Sequence, residues 1–362
     1  MAASIVIEAT ELRPDIDAPL AEGAIVARTR PPTFSVVIPA YQAARTISRS
    51  ITSVLAQTHP AAEVIVVDDG STDGLGDALR PYGEKLKVLR QENRGAAAAR
   101  NTGIRLSQGE FVALLDADDR FHPERLAALA ALACRRPDLD LITTDTCFVG
   151  RDGRALGRFS EHNHFEVDDQ SMAILRSCFL GGTPAVRTSR LLEVGGFDET
   201  LRTAEDWDCW IRLILTGSKA GQIRRPYYEY HLRGSGLTGD RLASLWDRVQ
   251  VLEKASEAID LDRVHQRTLR KSIRYHRQRA TKAEIGAALA SPLPRRTLIA
   301  LASRRYPVRP SRGPIIAALL HVPFGGPWGA EDIPPDIRFG PDGKGASTGS
   351  GETPQLQEEL EK

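Results

Sequence analysis

Short apolar runs that alternate with helical patterns are the feature that most limits the fold of this 362-residue chain. Strand-like runs rich in β-branched residues lie at 34–38, 63–67, 86–89 and 111–115. Helical patterns lie between and after them, at 47–55, at 95–106 and beyond Pro123. Strands that alternate with helices at this spacing predict an α/β fold with a mostly parallel sheet flanked by helices.

Two of the predicted strands end in acidic turns. Asp68 and Asp69 follow the second strand, and Asp116-Ala117-Asp118 follows the fourth. In an open α/β sheet, ligands bind in the crevice at the carboxyl ends of the strands. We therefore expect both acidic turns to face one crevice.

The Asp116-Ala117-Asp118 turn is a candidate metal site. Side chains alternate along an extended segment, so Asp116 and Asp118 point the same way. Their repulsion is relieved by a cation such as Mg²⁺ or Mn²⁺, which takes oxygen ligands and also holds a diphosphate. The alternative is a solvated turn in which Asp119 caps the next helix.

A third acidic group, Glu205-Asp206, lies beside Trp207 at the start of an apolar helical pattern. Acids at a helix start favour the helix dipole, and that alone would explain them. The functional alternative is that one carboxylate is a general base for an acceptor hydroxyl. An indole there would pack against a sugar ring or an apolar wall.

Several motifs, in this order and spacing, give the chain a resemblance to family-2 glycosyltransferases over roughly residues 34–235. They are Pro39-Ala40-Tyr41, Gln57-Thr58, Val67-Asp68-Asp69-Gly70-Ser71-Thr72-Asp73, Asn93-Arg94-Gly95, Ala99-Arg100-Asn101-Thr102-Gly103, Leu115-Asp116-Ala117-Asp118-Asp119, Val194-Gly195-Gly196-Phe197-Asp198-Glu199 and Glu205-Asp206-Trp207. The resemblance implies a GT-A fold, which is Rossmann-like, with a nucleotide-sugar donor and inversion at the anomeric carbon. The Q-x-x-R-W motif of processive synthases is missing from the sequence, so we expect transfer of one or a few sugars.

The resemblance also assigns roles to residues of this chain. It implies a nucleotide-sugar site of Pro39, Ala40, Tyr41, Asp68, Asp69, Arg94, Arg100, Asp116 and Ala117. It implies a metal held mainly by Asp118, with Asp116, and an acceptor site of Gly181, Gly182, Thr183 and Trp207. It assigns Asp206 as the general base, with Glu205 as its catalytic partner. It also implies that His231 reaches the metal or the diphosphate. Two assignments have a structural alternative: Arg100 as a tie between its helix and the sheet, and His231 as a structural residue that binds neither.

The substrates are less narrowly defined than the reaction. A UDP-sugar is the preferred donor, because Asp69 could accept from the imide N–H of uracil, although thymine offers the same group. The acceptor is a hydroxyl of a saccharide, a lipid-linked molecule or another compound. A non-catalytic nucleotide-sugar-binding or assembly module is the main alternative, but we expect such a module to lose Asp118 or Asp206. Nucleotidyl transfer is disfavoured because residues 39–42 contain neither Gly nor Lys.

Charge divides the chain into four parts. Residues 1–30 are predicted to form an arm, 31–240 a GT-A domain, 241–330 a basic and mostly helical extension, and 331–362 a disordered acidic tail. The overall net charge of +1 predicts no nucleic-acid partner.

Within the extension, Arg263, Arg267, Arg270, Arg274 and Arg277 recur at helical spacing and predict one basic stripe. The stripe is a solvated face, a nucleic-acid contact or a weak contact with anionic membranes through 263–320.

The sequence predicts a cytoplasmic protein. It has no run of eighteen apolar residues and no secretory signal pattern at its start. The four cysteines are scattered, which favours free thiols in a reducing compartment. Because the basic stripe could contact anionic lipids, the alternative is a peripheral position at the inner face of the membrane.

Overall fold

The structure, a computed structural model, describes residues 6–7, 16–18, 25–181, 183–232 and 241–290. The strands within these ranges are β1 Val6–Ile7, β2 Ile16–Asp17, β3 Ile25–Val26, β4 Phe34–Ala40, β5 Glu63–Asp68, β6 Lys87–Arg90, β7 Phe111–Leu114, β8 Arg120–Phe121, β9 Leu141–Val149, β10 Ala155–Arg158, β11 Ala185–Arg187 and β12 Ala220–His231. The α-helices are α1 Ile47–Leu55, α2 Leu75–Leu79, α3 Ala96–Leu106, α4 Arg125–Arg135, α5 Gln170–Ile174, α6 Thr188–Glu193, α7 Glu205–Leu215, α8 Arg241–Ala258 and α9 Arg263–Ala290. In the same ranges, 3₁₀ helices span Arg80–Lys85 and Phe159–Glu161.

The main sheet has the strand order β2-β12-β9-β11-β7-β4-β5-β6. Strands β7, β4, β5 and β6 are parallel neighbours, and β9 and β12 are also parallel. The short β11 runs antiparallel between β7 and β9. The predicted α/β fold with a mostly parallel sheet is therefore confirmed, and the strand expected at 86–89 is found at Lys87–Arg90.

Helices cover both faces of the sheet. On one face, α1, α2 and α4 contribute buried side chains such as Ile51, Leu75 and Leu129 to one apolar cluster. On the other face, a second cluster joins α3, α5, α6 and α7 to α8 and α9. This arrangement explains why the central strands read as continuous apolar runs, because both of their faces are buried.

The two C-terminal helices pack on the sheet domain through apolar side chains. Val251 and Leu252 of α8 and Leu269 of α9 are buried in the same cluster as α7. The helix predicted around the basic stripe is present as α9. Its five stripe arginines are exposed, whereas Ser272 and His276 on the opposite side are buried. Residues 291–320, most of the predicted arm and the predicted acidic tail lie outside the described residues.

Candidate functional site

The carboxyl ends of three parallel strands meet at one edge of the sheet. Strand β4 ends at Ala40, β5 ends at Asp68, and Asp116 follows the end of β7. The backbone N–H of Asp69 donates to the carbonyl of Ala40 at 2.8 Å, which ties the first two ends together. Tyr41, beyond the end of β4, is largely exposed at this edge. The acidic turns expected at one crevice therefore do lie at one edge.

Asp68 and Asp69 are both buried and both accept hydrogen bonds from the protein. Asp69, only 3% exposed, accepts from the backbone N–H groups of Arg94 at 2.9 Å and Gly95 at 2.8 Å, and from the Gln91 side chain at 2.7 Å. Asp68 accepts from the Ser71 backbone N–H at 2.8 Å. Both carboxylates thus shape the loops around this edge.

Arg94 lies on the loop that Asp69 holds. Its guanidinium points to Glu199 and pairs with that carboxylate at 2.5 Å. The pair joins the 93–95 motif to the Gly195-Gly196-Phe197-Asp198-Glu199 motif. In this structure the charge of Arg94 is therefore balanced by the carboxylate of Glu199.

The Asp116-Ala117-Asp118-Asp119 turn places two acids toward the crevice and two residues inward. Ala117 is buried in the core, whereas Asp116 and Asp118 are half-buried. Asp119 is buried and accepts hydrogen bonds from the Tyr228 hydroxyl at 2.7 Å and the His231 backbone N–H at 2.9 Å. Burial raises the pKa of Asp119 well above its ordinary value, and the charges of Asp116 and Asp118 raise it further.

His231 lies at the end of β12, beside this turn. Its backbone N–H donates to the carboxylate of Asp119, the residue that follows Asp118 in the chain. Its ring Nε2 lies 3.3 Å from the carboxylate of Glu229. A ring nitrogen that contacts a carboxylate fits the structural alternative for His231, while its position keeps it next to the candidate metal turn.

Arg100 joins the acidic turn to the third acidic group. It lies on α3, is 8% exposed, and its guanidinium pairs with Asp116 at 2.8 Å and with Glu205 at the start of α7. Burial alone lowers the pKa of Arg100, but the charges of Asp116 and Glu205 outweigh this and raise it. The two motifs, far apart in sequence, are therefore brought together by one buried cation.

The Glu205-Asp206 pair divides into a buried and an exposed carboxylate. Glu205 is buried against Arg100, and burial raises its pKa despite that cation. Asp206 is exposed and accepts from the Trp207 backbone N–H at 2.7 Å. Ala204, just before them, has a left-handed φ of 60°. Of the two acids, Asp206 is the one that is exposed to solvent.

Trp207 is a core residue. It is 3% exposed, its indole N–H donates to the carbonyl of Ile174 at 2.8 Å, and its ring lies 5.4 Å from that of His276 on α9. The prediction that this indole contacts an acceptor does not agree with its placement. The physical reason is the helix period, which turns Trp207 into the protein while Asp206 points out.

The predicted acceptor loop lies next to β7 and β9, although Gly182 is outside the described residues. Thr183 donates from its hydroxyl to the carbonyl of Leu114 at 3.0 Å. Gly181 packs closely, because a Cβ there would lie 2.5 Å from the ring of Phe159. This close approach explains a glycine at position 181.

Sequence reasoning missed a buried cation beneath this loop. Arg125 is fully buried, donates to the carbonyl of Thr183 at 2.7 Å, and stacks on the rings of Phe121 and Tyr228. Burial lowers its pKa to about 10. Arg125 is the first residue of α4, a helix with an otherwise ordinary apolar pattern, so no sequence signal distinguished it from a surface arginine.

A metal site of side chains alone is not formed among the residues that the structure describes. No group of three or more His, Cys, Asp or Glu side chains there is arranged to hold a metal ion. Within the same ranges, no helix is long and apolar enough to cross a membrane.

Comparisons with known proteins agree on one family. A family model described as glycosyl transferase family 2 matches residues 35–193. The succinoglycan biosynthesis protein ExoU of Rhizobium meliloti is 30% identical over 325 residues, covering 80% of this chain and 93% of ExoU. ExoO, a second succinoglycan biosynthesis protein of that organism, is 29% identical over 335 residues, covering 81% of this chain and 95% of ExoO.

Solved structures share the same architecture. S. aureus TarS 1-349 in complex with UDP-GlcNAc superposes with a TM-score of 0.56 and 25% identity, covering 68% of this chain and 73% of that one. The mannosyltransferase PcManGT of Pyrobaculum calidifontis has a TM-score of 0.51 and 24% identity, covering 82% of this chain and 86% of that one. The second likeness is one of fold alone.

Proposed function

The chain belongs to glycosyltransferase family 2, with a GT-A fold, and we propose that it transfers a sugar from a nucleotide-diphosphate-sugar to an acceptor hydroxyl with inversion. The observation that carries this proposal is the bridge made by Arg100. It brings the acidic turn after β7, where a donor diphosphate would bind, to the helix start that presents Asp206.

Asp206 is the proposed general base. Its carboxylate is exposed, beside the Glu205 that Arg100 ties to the acidic turn, and a base must reach the acceptor hydroxyl within hydrogen-bond distance. In a single displacement, Asp206 takes the hydroxyl proton while the acceptor oxygen attacks the anomeric carbon and the nucleoside diphosphate leaves. Glu205 has a different role in this scheme: it holds Arg100 and thereby fixes the first turn of α7.

A divalent cation fits the acidic turn. Asp116 and Asp118 are half-buried at one strand end, and their charges add to burial, the larger cause, in raising the pKa of the adjacent Asp119. Oxygen ligands of this kind suit Mg²⁺ or Mn²⁺. Asp118, with Asp116, would hold the cation, and the donor diphosphate would complete its ligands. When bound, such a cation stabilises negative charge on the leaving diphosphate.

A UDP-sugar is the proposed donor. TarS, which was crystallised with UDP-GlcNAc, supports this choice. The nucleotide would lie along Pro39, Ala40 and Tyr41, over the loop that Asp69 holds. Because Asp69 already accepts three N–H groups, its proposed role is to shape this loop rather than to be a free acceptor for the base.

The proposed acceptor is a saccharide of a growing polysaccharide or glycoconjugate, free or lipid-linked. Support comes from two relatives that are succinoglycan biosynthesis proteins. A contact with anionic membranes through α9 belongs to the same proposal, since the five stripe arginines are exposed on the side away from the core. Each basic residue near an anionic surface contributes about 1 kcal/mol of attraction.

The proposal is tested by a panel of nucleotide sugars incubated with Mg²⁺ or Mn²⁺ and candidate saccharides. Release of nucleoside diphosphate together with a glycosylated product is expected, and release of pyrophosphate would indicate nucleotidyl transfer instead. A thermal-shift series with nucleoside diphosphates and Mn²⁺ identifies the base, because a ligand that binds the native state raises its melting temperature. Binding without turnover in any combination would favour the non-catalytic module.

A further inference from the structure

The segment from residue 198 to residue 206 connects the Gly195-Gly196-Phe197 turn to α7 and ends at the proposed base. It contains no strand and only the first residues of a helix. The side chain of Asp206 accepts from the backbone of its neighbour Trp207, so its direction follows the first turn of α7. The contacts that fix this segment therefore fix the base.

On one side, the segment is held by α3. Asn101 donates to the carbonyl of Phe197 at 2.8 Å and to the carboxylate of Glu199 at 3.0 Å, and Arg100 pairs with Glu205. These residues belong to motifs that the sequence already singled out. They tie the segment to the sheet domain.

On the other side, the segment is held by α8. Lys254 Nζ donates to Asp198 at 2.6 Å and to Asp208 at 2.7 Å, so one ammonium joins the first residue of the segment to the part of α7 just beyond its last residue. Asp247, two turns earlier on α8, accepts from the Thr203 hydroxyl at 2.5 Å. The match to the family model ends at residue 193, ahead of all of these groups.

The electrostatics of Asp198 and Asp208 are consistent with a close contact between α8 and the segment. Burial alone would raise the pKa of Asp198, but the bonds from Lys254 and Thr200 outweigh it and hold this pKa at about 2. Asp208 is buried between Lys254 and Arg212, and Arg212 also donates to the carbonyls of Val194 and Gly196. The carboxylates of Asp198 and Asp208 are thus balanced by cations on α7 and α8.

We propose that Lys254 and Asp247 of α8 are positioning residues for the general base of this enzyme, acting by clamping residues 198–206 against α3. This inference rests on the proposed function. Loss of the clamp leaves the donor site at the ends of β4, β5 and β7 in place and lets the first turn of α7 move. A displacement of about 1 Å at a reacting group can lower turnover by about 10²-fold.

The test compares Lys254→Met with Lys254→Arg, Thr203→Val and Lys87→Met. Lys87 offers a matched control, because its ammonium pairs with Glu63 at 2.5 Å at the starts of β6 and β5, the opposite end of these strands from the acidic turn. Turnover is measured with the nucleotide sugar that the wild type consumes fastest, and binding with the matching nucleoside diphosphate and Mn²⁺. Cys209 of α7 reports on packing, because burial raises the pKa of its thiol to about 12 and it should resist alkylation while α8 stays docked.

We expect Lys254→Met to lower kcat by about tenfold or more, with the donor KM and the diphosphate Kd within about twofold of wild type. Lys254→Arg should recover most of the loss, since it restores a cation. Thr203→Val should also lower kcat, and of these variants it should change the packing least. If Lys254→Met exposes Cys209 or fails to fold, the kcat of Thr203→Val tests the clamp in its place. A kcat equal to that of Lys87→Met in the folded clamp variants would overturn the proposal.

Hydrogen exchange separates this inference from the proposed function. If the wild type consumes no nucleotide sugar, the proposed function fails and the clamp is judged from exchange of residues 198–206 alone. Faster exchange in Lys254→Met and Thr203→Val than in Lys87→Met supports the clamp. Equal exchange in all three variants contradicts it.

Discussion

The guanidinium of Arg100 on α3 forms a buried ion pair with the carboxylate of Glu205, the first residue of α7. The same guanidinium reaches Asp116 at 2.8 Å. A planar group with several donors in a fixed fork can serve two carboxylates at once, which an ammonium does poorly. We infer that Arg100 sets the separation between the acidic turn and the helix that carries Asp206.

The first prediction concerns this bridge. Arg100→Met should destabilise the protein by roughly 3 kcal/mol, because it leaves the buried Glu205 without its cation. Adding Glu205→Gln should recover part of this loss, since the unpaired charge is then removed. Urea unfolding of the two single variants and the double variant measures the coupling. Additive single effects would mean that the pair contributes nothing specific.

The second prediction concerns the base. Asp206→Asn should leave nucleoside diphosphate binding within about twofold and lower turnover by about 10²-fold or more, the usual scale for loss of a general base. Asp152→Asn, in the exposed turn after β9, is the matched control. A folded Asp206→Asn protein with near-normal turnover would remove Asp206 from the mechanism.

The third prediction concerns the metal. Asp118→Ala should weaken Mn²⁺-dependent binding of UDP far more than binding of uridine, because the diphosphate is the part of the ligand that a cation at Asp118 would contact. Isothermal titration with and without EDTA measures both affinities. An equal loss for UDP and uridine would mean that Asp118 shapes the pocket without holding a cation.

The sequence predicted the sheet edge well because the strand ends are marked locally. Continuous apolar runs stop at Asp68 and at Asp116, and a parallel sheet must bring such ends to one edge. The sequence could not predict which of Glu205 and Asp206 is buried. That choice depends on the buried partner, and this partner, Arg100, lies 105 residues away from Glu205.

The helix start at Trp207 and the helix α8 show two further limits. An indole beside acids is compatible with a residue that stacks on a sugar and with a residue of the apolar core. Only the packing of α5 and α9 around Trp207 shows that it belongs to the core. Lys254 lies in none of the motifs that the sequence indicated. Its proposed role rests on tertiary contacts that α8 makes with Asp198 and with α7, which a pattern within one segment does not encode.

The fourth prediction concerns the basic stripe of α9. Sedimentation with anionic vesicles at low salt should capture the protein, and high salt should release it, because screening shortens the range of the attraction. Replacing Arg263, Arg267, Arg270, Arg274 and Arg277 with Gln should abolish capture without loss of turnover on a soluble acceptor. Neutral vesicles are the control. Failure to bind anionic vesicles at low salt would leave the stripe as a solvated face.

The fifth prediction concerns Ala204, which precedes Glu205 with a left-handed φ of 60°. A residue with a Cβ is strained in this conformation by about 1 kcal/mol or more, whereas glycine is not. Ala204→Gly should therefore leave the free energy of unfolding unchanged or raise it slightly, because relief of strain offsets the greater freedom of glycine in the unfolded chain. Turnover should nevertheless fall, since glycine lets the first turn of α7 adopt other conformations.

The matched control for Ala204 is Ala128→Gly in the interior of α4, where the same change should destabilise by about 1 kcal/mol and leave turnover intact. Urea unfolding and initial rates of diphosphate release measure the two effects on the same protein samples. If Ala204→Gly destabilises as much as Ala128→Gly, position 204 carries no strain. If it is neutral in stability and also neutral in turnover, the left-handed residue does not contribute to fixing Asp206, and the clamp between α3 and α8 alone accounts for the position of the base.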